Sequence, residues 1–240
     1  MIENEPLLVK NEEQIQKEEE SNIYQKIRRG FIVKVYSLLL IQLAITFGFI
    51  FLSINIKSLA NCILTHYWLY IFMALIPFGI LIFFICNPES TKKVPLNYVL
   101  LFIFCLSLGY TTAKFALHFE KTSVYFSMLL TLIAVLGLTL YAFFTKKDFT
   151  TIGSTLFIFL IILIFGGIIN IFLRLAILAF ILNIVGVFLF SFYIIYDTQL
   201  ILGNKSNKLS EDEYILAVIM LYLDIINLFI YILSFCGKSK

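Results

Sequence analysis

The chain has 240 residues, of which 61% are hydrophobic and only 14% are charged, and its formal net charge is +3. Soluble domains are about 45–50% apolar and about 25% charged, so this composition excludes a soluble globular enzyme, a disordered chain and a small disulfide-stabilised scaffold. The small positive charge gives no argument for binding nucleic acid. The composition therefore predicts an integral membrane protein whose main partner is the lipid bilayer.

Residues 1–30 are polar and rich in acidic side chains, unlike the rest of the chain. The run 11–21 (NEEQIQKEEES) predicts a cytosolic disordered tail, or at best an exposed helix. Near its start, Glu3 with Leu7 and Leu8 fits an acidic dileucine sorting motif, which would direct a protein with a cytosolic tail to the Golgi or to lysosome-like compartments. The first apolar segment begins too late and is too long for a secretory signal peptide, so we expect it to act as its own insertion signal.

Apolar segments separated by short polar breaks make up the remainder of the chain. A bilayer core about 30 Å thick needs about 20 helical residues per crossing, and helices satisfy their own backbone polar groups in lipid. The predicted fold is therefore all-α, with a polytopic membrane domain over residues 31–236 and a short C-terminal tail at 237–240. The predicted spans are residues 33–54, 68–86, 96–114, 124–144, 152–172, 175–197 and 214–236.

The basic residues that flank these spans predict that the N-terminus is cytosolic. With that orientation, the inner side holds the larger set, which is Lys26, Arg28, Arg29, Lys34, Lys92, Lys93, Lys146, Lys147, Lys205 and Lys208. The outer side holds Lys57, Lys114, Lys121 and Arg174, joined by Lys238 and Lys240 if the last span crosses fully. This count does not decide whether the last span crosses or re-enters.

Two aspartates interrupt the apolar spans. Asp197 closes the sixth span and Asp224 lies near the middle of the seventh. An Asp at the centre of a membrane helix costs about 2.5–3.5 kcal/mol, so such a side chain should face the bundle interior and have a partner. Because neither span contains a basic residue, each aspartate is the predicted partner of the other.

Helical spacing supports an inward position for both aspartates. The residues Asn183, Gly186, Phe190, Tyr193 and Asp197 recur at intervals of three and four, as do Ala217, Met220, Asp224, Asn227 and Tyr231, which places each mixed set on one face of its helix. The predicted supporting stripe consists of Asn183, Tyr193, Asn227 and Tyr231.

Two carboxylates in a poorly solvated site cannot both ionise cheaply, so we expect them to share one proton and to titrate as a unit. The protonated pair would hold two helices together. The deprotonated pair would repel itself and offer oxygen ligands suited to Ca²⁺. The alternative is that Asp197 is an interfacial residue and that Asp224 bonds Asn227 or a backbone carbonyl.

Several segments resemble the transmembrane BAX inhibitor motif (lifeguard) family, and the tail and loops look most like its Golgi anti-apoptotic branch. The similar segments are 27–31 (IRRGF), 34–37 (KVYS), 94–97 (VPLN), 137–141 (GLTLY), 145–149 (TKKDF), 196–199 (YDTQ), 210–214 (SEDEY) and 221–229 (LYLDIINLF). The resemblance covers roughly residues 27–236.

This resemblance implies a seven-helix bundle with the last helix central. It implies a pH-sensitive calcium leak across a Golgi or endoplasmic reticulum membrane, and suppression of apoptosis by lowering stored calcium. The family's di-aspartate sensor maps onto Asp197 and Asp224, and apoptosis regulators are the implied protein partners. Bacterial relatives carry an Arg after the second span that latches to the sixth-span Asp; this chain has none there, and Lys92 or Lys93 is the candidate substitute.

Other functions that use paired aspartates remain as alternatives. An intramembrane aspartyl protease would use the pair to activate water, but the second acid here follows Leu221-Tyr222-Leu223 rather than Gly-x-Gly. A proton-coupled ion transporter would show broken helices in paired halves, for which Gly166-Gly167 is the only strong candidate. A non-conducting anti-apoptotic scaffold is the third alternative. We expect a non-enzymatic protein with no resident cofactor, for which Ca²⁺ is the permeant ion.

Overall fold

The computed structural model describes the backbone of residues 5–240 and the side chains of residues 16–240. Within that part of the chain the regular structure is helical. The helices are α1 Glu5–Asn55, α2 Lys57–Thr65, α3 Tyr67–Cys86, α4 Leu96–Ala116, α5 Lys121–Phe144, α6 Gly153–Leu173, α7 Ala176–Leu202 and α8 Tyr214–Cys236. All of them except α2 are long and apolar enough to cross a membrane, which confirms the predicted all-α polytopic fold.

The N-terminal half of α1 continues the first span as an exposed helix. The sequence predicts a disordered tail or an exposed helix over residues 1–30, whereas the structure is helical from Glu5 and the side chains of residues 16–27 are exposed. Glu, Lys and Gln are good helix formers, and an adjoining apolar helix removes the cost of nucleation. Helix propensity therefore accounts for the difference from a disordered tail.

The last helix is the most buried element of the bundle. In α8, 67% of the most apolar window is buried, against 11% in α6. Helices α1, α4, α5 and α7 all pack against it, and its side chains Tyr222, Leu228 and Phe229 are fully enclosed. The central position implied for the last helix is therefore observed.

The end of α8 shows that the last span crosses the whole bundle. The backbone N–H of Glu120 donates to the Lys238 carbonyl at 2.9 Å, and the N–H of Lys240 donates to the His118 carbonyl at 3.0 Å. His118 and Glu120 connect α4 to α5 at the end of the bundle opposite the α7–α8 loop. A re-entrant segment would return to the end at which it began, whereas α8 runs the full length of the bundle.

A tight turn joins α6 to α7 and makes them antiparallel neighbours. Arg174 adopts a left-handed φ of 52° and its N–H donates to the Asn170 carbonyl at 2.8 Å. The side-chain oxygen of Asn170 then accepts the N–H of Leu175 at 3.1 Å. These bonds satisfy backbone groups that a helix end leaves without partners.

Candidate functional site

Adjacent helices α7 and α8 bring the two intramembrane aspartates together. Asp197 and Asp224 are only 2% and 6% exposed, and their carboxyl groups lie within hydrogen-bonding reach of each other. The sixth span was predicted to end at 197, but α7 continues to Leu202, where Gly203 caps it with a φ of 67°. Asp197 is therefore inside the helix and buried, not at the end of the helix.

Each aspartate keeps one oxygen that is buried without a protein partner. Among the described side chains, Asp197 Oδ1 and Asp224 Oδ2 accept no hydrogen bond, and neither residue belongs to any of the ion pairs. A buried acceptor that lacks a partner costs free energy, and a buried charge costs more. The arrangement therefore favours a proton between the carboxylates, or a cation beside them.

Tyrosines surround the pair. Tyr193 of α7 is close enough to both carboxylates to sense their charge, and Tyr36 of α1 and Tyr196 of α7 are close to Asp197. The hydroxyl of Tyr36 donates to Thr198 Oγ1 at 3.4 Å, which ties α1 to the helix turn that carries Asp197. Tyrosines of two helices therefore lie in the neighbourhood of the carboxylates, and among the described residues no ion pair joins either aspartate to a basic side chain.

Only part of the predicted polar stripe reaches the pair. Tyr193 does, but Asn227 Nδ2 donates to the Leu223 carbonyl of its own helix at 2.8 Å. Tyr231 lies about two turns from Asp224, where its ring packs on Gly186, and Asn183 is half-buried on the same face of α7. The alternative in which Asp224 bonds Asn227 is not what the structure shows.

The pair could contribute to binding Ca²⁺ but does not by itself form a complete site. Calcium takes six to eight oxygen ligands, and among the described residues there is no group of three or more His, Cys, Asp or Glu side chains. Two carboxylates supply only part of that ligand set.

Two clusters of contacts join the loops at the end of the bundle where α7 finishes, and the sequence analysis did not predict either of them. In the first, the buried Arg28 of α1 donates to the carbonyls of Leu200 and Leu209 and to Glu211 Oε1. Lys92, by contrast, lies 3.9 Å from Asp212 Oδ2 in an exposed loop. Neither Lys92 nor Lys93 pairs with Asp197, so the substitute latch is not observed.

The second cluster fastens the α5–α6 loop to the α7–α8 loop. Asp148 Oδ1 accepts the N–H and the hydroxyl of Thr150, and its Oδ2 accepts the N–H and the hydroxyl of Ser206. The buried side chain of Gln199 receives the N–H of Phe149 at 2.8 Å and donates to the Lys147 carbonyl at 2.9 Å. Segments 145–149, 196–199 and 210–214, which carry the resemblance, therefore meet at one end of the bundle.

The predicted sorting motif lies outside the part of the chain whose side chains are described. This applies to Glu3 and to the side chains of Leu7 and Leu8. The motif stays a prediction.

Comparison with known proteins gives a consistent result. The family model described as "Inhibitor of apoptosis-promoting Bax1" matches residues 28–240. Protein lifeguard 4 of Mus musculus is 35% identical over 209 residues, covering 87% of this chain and 85% of that protein. Protein lifeguard 3 is 28% identical in Mus musculus and 27% in Homo sapiens, over 89% and 90% of this chain and 71% of each relative. The chain therefore belongs to the BAX inhibitor (lifeguard) family of membrane proteins.

Proposed function

We propose that this protein is a pH-sensitive calcium leak channel of a Golgi or endoplasmic reticulum membrane, with a cytosolic N-terminus, that suppresses apoptosis by lowering stored calcium. Asp197 and Asp224 are its gate. The observation that supports this most strongly is the buried pair of adjacent carboxylates, which among the described side chains has neither a basic partner nor a full set of hydrogen bonds. Membership in a family described by inhibition of apoptosis supports the cellular role.

The gate works through one shared proton. With the proton in place, Asp197 and Asp224 form a hydrogen-bonded contact that holds α7 against α8. When it leaves, two like charges in a poorly solvated site repel each other, and their free oxygens attract a divalent cation. The leak should therefore increase as pH rises.

Proteoliposomes with an internal calcium dye test this mechanism over a pH series. We expect the wild-type leak to increase by about tenfold between about pH 5.5 and about pH 7.5, which corresponds to about 1.4 kcal/mol in the gate equilibrium. Asp224→Asn should lose most of that response, since Asn cannot exchange a proton with Asp197.

Asp212→Asn is the matched control, because Asp212 is an exposed loop residue whose only ion pair is the long contact with Lys92. It should leave the pH response unchanged. A wild-type protein without a pH-dependent leak, or an Asp224→Asn variant that responds like wild type, would contradict the proposal.

A non-conducting scaffold that binds apoptosis regulators is the second candidate, and the family description favours it as much as it favours the channel. An Asp197→Asn and Asp224→Asn double variant that loses ion flux but still protects cells would support the scaffold. The transporter alternative loses its structural argument, since α6 continues without a break through Gly166 and Gly167. The sequence around Asp224 disfavours a protease, and we propose a non-enzymatic protein.

A further inference from the structure

Arg28 makes the most extensive buried polar contacts between α1 and the α7–α8 loop. Arg28 is only 4% exposed. Nη2 donates to the Leu200 carbonyl at 2.6 Å, while Nη1 donates to the Leu209 carbonyl at 2.6 Å and to Glu211 Oε1 at 3.0 Å. The guanidinium also lies over the ring of Phe31, 4.8 Å from its centroid. One side chain therefore binds the end of α7 and the segment that leads into α8.

The backbone next to Arg28 leaves room for its guanidinium group. Gly203 follows α7 with a φ of 67°, and a Cβ at that position would lie 2.6 Å from atoms of the guanidinium. Leu200 is one of the last residues of α7, whose carbonyls have no partner within the helix, and the end of a helix attracts cations. A planar guanidinium with several donors satisfies such a set of acceptors, which a lysine ammonium does less well.

One bonded group is close in sequence to Asp197, and the other two lie in the segment that leads into the helix carrying Asp224. Leu200 follows Asp197 by less than one helical turn, and Glu211 precedes the first turn of α8. We infer that Arg28 is a positioning residue for the Asp197–Asp224 pair, because it fixes the looped end of the α7–α8 hairpin against α1 and so sets the separation of the two carboxylates. This inference rests on the proposed gate and deepens it.

Charged and titratable groups face both parts of this arrangement. Glu211 and Lys208 lie near Arg28, and Tyr36 of α1 with Tyr193 and Tyr196 of α7 face the aspartates. Burial opposes ionisation of Glu211, but hydrogen bonds from its own backbone and from Arg28 outweigh burial and leave its pKa below the usual value. The Arg28–Glu211 ion pair therefore persists at mildly acidic pH and is not itself the pH sensor.

The test is the pH profile of the calcium leak in proteoliposomes that contain the full chain. In Arg28→Gln the α7–α8 hairpin is no longer bound to α1, so the two carboxylates can move apart. Their mutual repulsion then falls, and both can be ionised at a lower pH. We expect the midpoint of the leak to move to lower pH by about half a unit or more, a change of about 0.7 kcal/mol.

Arg29→Gln is the matched control, since it removes the same charge from the next, exposed position of α1. It should keep the wild-type midpoint. Glu211→Gln removes the ion pair but leaves both carbonyl bonds, so a smaller shift in the same direction is expected, and this variant serves if Arg28→Gln does not fold. A midpoint equal to wild type in a folded Arg28→Gln protein, or in Glu211→Gln as its replacement, overturns the inference.

Amide hydrogen exchange separates a failure of this inference from a failure of the proposed function. Arg28→Gln should increase exchange in residues 203–213 and in the first turn of α8, whereas Arg29→Gln should not. If the wild-type protein shows no leak, the proposed function fails, whatever the exchange data show. If exchange in Arg28→Gln is the same as in wild type, the positioning role of Arg28 fails, whether or not the protein leaks calcium.

Discussion

Buried charged residues in this bundle are satisfied in different ways. Asp197 and Asp224 have each other and nearby tyrosines, whereas Lys114 in the last turn of α4 lies over the rings of Tyr67 and Tyr70, 4.2 and 4.9 Å from their centroids. An aromatic face stabilises a desolvated ammonium group without needing a carboxylate. The aspartates have no such aromatic partner, and Asp197 Oδ1 and Asp224 Oδ2 are buried without a hydrogen-bond donor among the described side chains.

Small residues allow the helices that carry the aspartates to approach closely. A Cβ at Gly186 would lie 2.5 Å from the ring of Tyr231, and that ring stacks on Phe190 with centroids 5.6 Å apart. Such close contact at a glycine is typical of helix interfaces in membranes, where packing supplies much of the association energy.

Gly186→Ala should therefore destabilise the protein. The added methyl group forces the Tyr231 ring away from Phe190, and overpacking of this kind costs about 1–3 kcal/mol. We expect the melting temperature in detergent to fall by about 2–10 °C. Gly137→Ala is the control, because a Cβ at Gly137 meets nothing within 4 Å, and an equal loss in both variants would contradict the packing argument.

At the level of elements, the lengths of the apolar segments predicted the spans, and the two aspartates within them indicated the candidate site. Hydropathy reports burial in lipid, and a lone acid in an apolar helix demands a partner, so both features are visible in the sequence. The extension of α7 beyond Asp197 was missed because the residues after it, Thr198 and Gln199, are polar but buried. The helix α2 was missed because it is short and has a single fully buried side chain, Ile63.

The loop contacts could not be predicted because they join residues far apart in the chain. Arg28 was counted only as a flanking basic residue, and Asp148 was noted only as part of a segment that carries the family resemblance. Each instead binds a loop some 60 to 180 residues away. Spacing within one helix carries no information about such pairs, although the resemblance marked several of the segments involved.

Asp148 should stabilise the loops over the whole physiological pH range. Hydrogen bonds from Ser206 and then Thr150 hold its pKa well below the usual range. Folding lowers the pKa of this carboxylate from its unfolded value of about 4. The stability that it contributes is fully present above the unfolded pKa and is lost only as the pH falls through the lower folded-state pKa. The melting temperature of Asp148→Ala in detergent should therefore be a few degrees below wild type, with a constant difference between about pH 5 and about pH 8.

The difference in melting temperature between wild type and Asp148→Ala should shrink only below about pH 4. Asp212→Ala, at an exposed position in the α7–α8 loop, should leave the melting temperature nearly unchanged. If the melting temperatures of wild type and Asp148→Ala became equal between about pH 5 and about pH 7, the prediction would be wrong and these loops would contain a pH-sensitive group.

At the scale of the whole molecule, the two ends of the bundle are built differently. The end that holds Arg28, Asp148 and Gln199 is fastened by side-chain contacts between loops and α1. The opposite end is closed by the C-terminal residues, where Lys238 pairs with Glu120 at 3.2 Å and the backbone of Lys240 bonds His118. Because Asp197 of the proposed gate lies near the first end, we expect changes in those loops to affect it more than changes in the C-terminal tail.

The native cysteines offer a direct test of this arrangement in the membrane. Cys86 ends α3 at the same end of the bundle as Arg28, whereas Cys236 ends α8 at the opposite end, and both are exposed. In sealed microsomes with the N-terminus cytosolic, a membrane-impermeant maleimide should label a single-cysteine protein retaining Cys86. It should label a protein that retains only Cys236 after the membrane is permeabilised, and not before.

The buried Cys105 is the control and should stay unlabelled until the protein is denatured. Equal labelling of Cys86 and Cys236 in sealed vesicles would show that α8 does not cross the bilayer, and labelling of Cys236 alone would reverse the orientation that the basic residues predict.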